Sequence, residues 1–175
     1  MIDQAAYLLW RATLADAPAL SELGTSTFVE AFGHLYPPED LQAFLSKAHA
    51  VAYYERLIRD PNVAIWLAAE RAGAPMAYIV VGICQLPVPS LEARAGEIRR
   101  LYVRKSGQAH GLGSRLMATA LEWLAAKHFD PLYVGVWSGN VGAQRLYRRY
   151  GFEKVGDYEF AVGRQLDKEF ILRRP

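Results

Sequence analysis

Apolar residues along this chain follow two different periods, and the switches between them mark out its elements. Tyr7 to Ala12 reads as a first strand. Asp16 can cap the segment after it and Pro18 suits a first helical turn. Leu20, Leu23, Thr27 and Phe28 then recur at helical spacing, until Gly33 and Pro37-Pro38 break the run. Pro38-Glu39-Asp40 opens a short helix through Phe44 and Leu45, and a further helix from Ala50 to Arg59 ends at Asp60-Pro61. Val63–Arg71 and Met76–Gln85 predict a hairpin about the turn Gly73-Ala74-Pro75. Met76 to Cys84 is apolar almost throughout, which predicts cover on both faces. Pro87 and Pro89 make a loop, and Gly96 to Arg104 is the next strand. A glycine-bearing loop, Gln108 to Gly113, leads into a helix from about Leu112 to His128, with Leu112, Leu116, Ala120, Leu121 and Leu124 on one face. Leu132 to Trp137 is a strand, and Asn140 to Arg149 a helix carrying Ala143, Leu146, Tyr147 and Tyr150 on one stripe, ended by Gly151. Phe152 to Leu172 reads as two strands broken near Gly163. The order β, helices, β, β, β, α, β, α, β, β predicts an α+β (three-layer α/β) architecture, a mixed sheet with helices on both faces.

Composition narrows the class. A length of 175 residues predicts a single domain, 1–175, with no repeat or long linker. A hydrophobic fraction of 52% and a net charge of +2 exclude intrinsic disorder. The single cysteine, Cys84, excludes a disulfide scaffold and fits a reducing, cytoplasmic compartment. No apolar run approaches the ~20 residues that span a bilayer, and the start, MIDQAAYLLWRA, lacks the basic and apolar regions of a signal peptide. The basic pairs Arg99-Arg100, Arg104-Lys105, Arg148-Arg149 and Arg173-Arg174 are short and lack interleaved aromatics, so neither membrane nor direct nucleic-acid binding is expected. His34, His49, His110 and His128 show no metal-ligand spacing, and no metal is expected.

Two segments carry chemistry. In the first, the strand Glu97–Val103 feeds the loop Gln108-Ala-His-Gly-Leu-Gly113, which opens a helix. Unpaired N–H groups at a helix start, approached through glycines, make an anion site suited to a phosphate; an ordinary glycine-lined helix start has the same letters. No Gly-Lys dipeptide exists, which removes a P-loop, and the third glycine of a dinucleotide fingerprint is missing. In the second, a strand ending at Trp137 leads to Asn140 and, two turns on, Tyr147. Asn140 is a sound N-cap and Tyr147 sits on an apolar stripe, so capping and core packing are open readings beside functional ones.

Together, Q-x-x-G-x-G after a strand ending L-Y-V, followed by N-x-x-A-x-x-L-Y-x-x-x-G-F, resembles the GNAT superfamily of acyl-CoA N-acyltransferases. The motifs span Glu97 to Phe152, and the element order extends the likeness over the whole chain. Residues 27–45, TFVEAFGHLYPPEDLQAFL, look like the PaiA-like branch, whose members are associated with polyamine acetylation.

The resemblance implies the GNAT fold: a mostly antiparallel sheet of about seven strands, splayed in the middle so that the pantetheine arm of acetyl-CoA lies in the opening like an added strand. Helices at about 15–60 would face the acceptor, and about 94–152 would bind acyl-CoA. Leu101, Tyr102 and Val103 would line the pantetheine arm, with a backbone N–H near Val103 polarising the thioester carbonyl. Gln108, Ala109, His110, Gly111, Leu112 and Gly113 would cradle the pyrophosphate, with Ser114 at the edge; Arg104, Lys105 or Arg115 would meet a nucleotide phosphate. Asn140 would hold the pantetheine or its own helix start. Tyr147 would give a proton to sulfur, and Glu97 would act as base through water or anchor the substrate cation. His34 and Tyr36 would line an acceptor cleft or pack a loop. Cys84 is read as inert, and Trp10, Trp66, Trp123 and Trp137 as core or pocket wall.

The implied activity is acetyl transfer from acetyl-CoA to a primary amine by direct attack. A polyamine would suit the acidic residues Glu30, Glu39, Asp40 and Glu55. A regulatory module that binds acyl-CoA with little turnover, and acetylation of a peptide N-terminus or an antibiotic amine, are the alternatives. A homodimer through the C-terminal edge strands is a further implication of the family.

Overall fold

Two buried apolar strands, β2 (Val63–Glu70) and β3 (Ala77–Ile83), pair within the sheet that organises the chain, described by a computed structural model over residues 7–71 and 73–175. The leader reading rests partly on residues 1–6, which lie outside the described residues. The other strands are β1 (Tyr7–Arg11), β4 (Gly96–Val103), β5 (Leu132–Trp137), β6 (Glu153–Val162) and β7 (Gln165–Arg174). The seven-stranded sheet runs β1-β2-β3-β4-β5-β7-β6. Every neighbouring pair is antiparallel except β4 and β5, which are parallel. That one pair follows from the strand–helix–strand crossover, because a parallel connection needs an element long enough to return the chain.

The helices lie on both faces. On one, α4 (Leu112–Ala126) and α5 (Val141–Arg149) bury Leu112, Leu116, Met117, Leu124 and Tyr147 against Ile79, Ile98, Val134 and Val136. On the other, α1 (Ala17–Phe32) and α3 (Val51–Arg59) bury Leu20, Leu23, Tyr54 and Leu57 against Ile65, Leu67, Tyr78 and Val80. A short α2 (Pro38–Ala48) packs Leu45 with Phe28 and Val162, which ties the helical layer to the β6–β7 hairpin. The mixed sheet with two helical layers is the architecture predicted from the chain's periodicity. Several boundaries shift by one to a few residues, and helix caps account for some of them: Ala50 stands outside α3 as its N-cap. Asn140 stands outside α5 as its N-cap, and α4 ends before His128, whose φ of 58° leaves the helical region.

One irregularity in β4 matters for everything that follows. Val80 pairs with Arg100 and Val81 with Ile98, so Arg99 is an extra, unpaired residue, a β-bulge. Strict alternation would put Glu97 and Arg100 on opposite faces. The bulge restores both to the face covered by α1–α3, where Arg100 meets Tyr54 and Tyr102 joins the same cluster. Arg99 itself donates from Nη2 to the Ile83 carbonyl at 2.7 Å.

Gly24 of α1 opens a notch that accommodates His49 and Tyr54, because a Cβ built there would collide with His49 Nδ1 and the Tyr54 hydroxyl. Gly24→Ala should therefore cost about 1–3 kcal/mol of stability through overpacking, despite the better helix propensity of alanine. Urea denaturation checks this; an unchanged or higher midpoint would show that the pair moves aside freely.

Candidate active site at the parting of β4 and β5

β4 and β5 pair only at Gly96–Leu132, Glu97–Tyr133 and Ile98–Val134. The bulge comes next, bending and twisting β4, and the strands separate. From Arg100 to Val103, β4 is paired on its β3 side alone, which leaves backbone on the other edge for an extended ligand. A cavity of about 390 Å³ occupies the opening. Leu101, Tyr102, Trp137, Asn140, Ala143 and Tyr147 line it where the strands part.

The loop after β4 leads to the start of α4. Ala109 (φ 66°) and Gly111 (φ 73°) both take left-handed conformations, and Gly111 caps α4 without any side-chain acceptor. The first N–H groups of the helix are thus open to an anion. Gly113 has room for a Cβ, whose nearest neighbour would be Val103 Cγ2 at an ordinary 3.8 Å. Protein packing does not require glycine there, whereas close approach of a phosphate does. Gln108 donates from Nε2 to the Val103 carbonyl at 3.2 Å, bracing the loop, and His110 lies exposed with its ring 5.8 Å from that of Tyr7. Leu112 is buried, and the Ser114 carbonyl accepts from the Tyr150 hydroxyl at 3.1 Å. Of the nearby cations, Arg104 faces Glu30 at 3.9 Å and Arg115 donates to the Tyr7 carbonyl, while Lys105 is exposed.

Asn140 and Tyr147 occupy structural and cavity positions at once. Asn140 Oδ1 accepts from the Ala143 N–H at 3.0 Å, which caps α5. The Tyr147 ring packs edge-on against Phe152 in the core, and the same side chain lines the cavity. Burial pushes its phenol well above the usual range, so the hydroxyl keeps its proton.

The rest of the cavity wall is both acidic and aromatic. Glu97 is 7% exposed, and its Oε2 accepts from the Gln85 N–H at 2.8 Å. Burial raises its carboxyl above the ordinary range, opposed by the Gln85 N–H and the Arg99 charge. Asp167 and Glu169 of β7 line the same space. The Tyr36 hydroxyl donates to Asp167 and the Tyr158 hydroxyl to Glu169, whose carboxyl is also raised by burial. Phe28, Phe32, Phe44 and Phe160 complete the wall.

The structure brings Glu97, Leu101, Tyr102, Tyr36, Asn140 and Tyr147 around one cavity. His34 is exposed and does not line it. The acidic residues singled out for a polycation lie elsewhere: Glu30 meets the Lys105 N–H, Glu39 and Asp40 face Arg164, and Glu55 faces Arg59. Sequence reading missed Asp167 and Glu169, although their spacing of two in a strand is the available signal. It also missed His49 and Arg100, which only the bulge and the fold bring together. Cys84 is buried, and burial first of all pushes its thiol up to about 11, consistent with the inert reading.

Comparison with known proteins gives the same picture. The family model described as "Acetyltransferase (GNAT) family" matches residues 24–152. An uncharacterised N-acetyltransferase of Lactobacillus delbrueckii subsp. lactis is 26% identical over 159 residues, covering 91% of each chain. The spermine/spermidine N(1)-acetyltransferase of Bacillus subtilis is 28% identical over 71 residues, 40% of this chain and 47% of that one. In fold, the chain resembles the PaiA N-acetyltransferase of Thermoplasma acidophilum, solved in complex with coenzyme A. The TM-score is 0.76 at 14% identity, over 97% of this chain and 98% of the other.

The space at Gly113 separates ligand binding from folding. Gly113→Ala should leave the melting temperature unchanged or higher, by helix propensity worth up to about 1 kcal/mol, while weakening coenzyme A binding by at least about tenfold. Calorimetric titration and thermal melts of the variant check both; equal affinity would show that no phosphate approaches this turn.

Proposed function

The chain belongs to the acetyltransferase (GNAT) family, and from that premise we propose that it transfers the acetyl group of acetyl-CoA to a primary amine by direct attack. The observation that best supports this is the single cavity in which the parted strands, Tyr147 and Glu97 meet. The free edge of β4 suits the pantetheine arm, with Leu101, Tyr102 and Val103 beside it, and the turn Gln108–Gly113 with Ser114 suits the pyrophosphate. Open N–H groups at the α4 start and the space at Gly113 support that fit. Asn140 holds the α5 start in place against the same arm.

Bound acetyl-CoA supplies the activated thioester. Glu97 takes the proton that an ammonium group must lose before its nitrogen can form the new C–N bond. The free edge of β4 near Val103 donates N–H to the thioester oxygen. Tyr147, held neutral by burial, gives its proton to sulfur as the C–S bond breaks, and the second proton shed by the acylated nitrogen returns to it through water. Tyr36 shapes the acceptor side through Asp167. A polyamine acceptor is a second reading, favoured by Glu97, Asp167 and Glu169 on the cavity wall and by the partial likeness to a spermine/spermidine acetyltransferase. A homodimer through β6, the C-terminal one of the two sheet edges, and a cytoplasmic setting belong to the same reading.

Tyr147→Phe should lower kcat by about 10²-fold or more with coenzyme A affinity retained. Thiol release over an amine panel checks this; full turnover in the variant would move the proton donor elsewhere. Binding without turnover on every amine would favour the regulatory module instead.

For Glu97, the raised carboxyl means that kcat/KM should fall on acidification at a pH above the ordinary glutamate range. Glu97→Gln should abolish that limb. Stability has a definite sign as well. The folded state holds this proton more tightly than the unfolded state, so stability falls as pH rises from the ordinary glutamate value through the raised one. Glu97→Gln should therefore melt higher than wild type at alkaline pH, with no such gain at strongly acidic pH. An unshifted acid limb in the variant would remove Glu97 as the base.

A further inference from the structure

Arg100 carries a charge that no acidic group among the described residues answers. Its side chain is half-buried on the cavity wall. Nη1 donates to the Tyr54 hydroxyl at 3.0 Å and lies 3.3 Å from His49 Nδ1. The guanidinium carbon sits 4.7 Å from the Tyr53 ring centroid and 5.7 Å from that of Tyr54. Among the described residues no carboxylate comes within ion-pair distance of it, and Nε and Nη2 have no protein acceptor.

Its partners are neutral. Burial, then the nearby Arg100 charge, holds the His49 imidazole down at about 3, so the ring is neutral; because a guanidinium nitrogen can only donate, Nδ1 facing Arg100 Nη1 is its acceptor nitrogen. Burial raises the Tyr54 and Tyr78 phenols, and pushes Tyr102 up to about 12. The Gly24 notch holds this cluster in register, so the guanidinium is a placed group with one edge committed and the other open.

The space around it changes sign. The main cavity has Glu97, Asp167 and Glu169 on its wall. Arg100 also borders an adjoining hollow of about 500 Å³, shared with Phe44, Lys47, Tyr53 and Phe160, and among the described residues no acidic one lines that hollow. A ligand reaching from Glu97 to Arg100 therefore passes from a negative to a positive end between aromatic walls. Along β4 the two Cα atoms are about 10 Å apart at most, within the span of a small molecule.

Resting on the acetyltransferase reading, we propose that the acceptor is a small aminocarboxylate with an apolar body, its amine directed to Glu97 and its carboxylate received by the open edge of Arg100. A partly desolvated guanidinium with only neutral partners gains most from an incoming carboxylate, which its planar fork can bind through paired N–H groups. The phenylalanine wall accepts the apolar body. A polycation would instead bring like charge against Arg100.

The test is acetyl-CoA thiol release by wild type with amino acids of apolar side chain, their carboxamides, and spermidine. kcat/KM should be about 100-fold higher for the acids than for their carboxamides. Arg100→Gln should bring that ratio close to one, and Arg100→Lys should recover part of it. Coenzyme A titration reports whether each variant is folded. Carboxamides or spermidine turned over as well as the acids would overturn the inference and leave acetyl transfer standing, as would a ratio that survives in folded Arg100→Gln. If no amine is turned over while coenzyme A binds, the acetyltransferase reading fails, and calorimetry on the coenzyme A complex decides the inference. There the N-acetyl amino acid should bind at least about tenfold more tightly than its carboxamide; equal affinity or no binding overturns it.

Discussion

A single extra residue in β4 governs how this chain makes a site. Arg99 enters the strand without a partner on β3, just beyond the last β4–β5 pair at Ile98 and Val134. A bulge bends its strand and increases the local twist. The sheet therefore opens at its one parallel seam, where pairing is already slightly weaker per residue than in antiparallel ladders. The same residue resets the alternation of β4, so that Glu97, Arg100 and Tyr102 face the α1–α3 layer while Ile98, Leu101 and Val103 face α4 and α5. An opening between strands and a polar face within a buried strand have one physical origin.

Burying charge on that face has to be offset locally, and the protein does so differently for each sign. Glu97 receives a backbone N–H from Gln85 and feels Arg99, yet burial still raises its carboxyl. Asp167 and Glu169 are each met by a tyrosine hydroxyl. Arg100 has a phenol, a neutral imidazole and aromatic faces instead of a carboxylate. Hydrogen bonds to phenols and stacking on rings stabilise a cation less than full ion pairing does, and they leave it able to attract an anion. The charged groups of the cavity wall thereby form no salt bridges with one another among the described residues.

Several residues are structural elements and cavity lining together. Asn140 caps α5 and borders the opening; Tyr147 packs on Phe152 and reaches the same space. α5 is only Val141–Arg149, and its placement depends on that cap, on Gly151 (φ 83°), and on the Tyr150 hydroxyl bonded to Ser114 at the α4 start. The side chain proposed as acid and the turn proposed for pyrophosphate are thus fixed relative to each other through α4 and α5. Capping and site roles are compatible at these positions because each uses a different atom or face of the same residue.

The sequence by itself determined the order of elements and most of their ends, because period, prolines, glycines and caps act over a few residues. It also determined the glycine turn before Leu112 and the Asn140–Tyr147 spacing, since both are local patterns along one strand–helix unit. Tertiary structure alone decided which polar side chains share the cavity. Asp167 and Glu169 arrive from β7, which is inserted between β5 and β6, and His49 arrives from the end of α2. In the sequence Arg100 stands only as half of the short basic pair Arg99-Arg100, and simple alternation from Glu97 would turn it to the other face. Its true position follows from the bulge, which depends on how β3 and β4 register, and no window of a few residues contains that information.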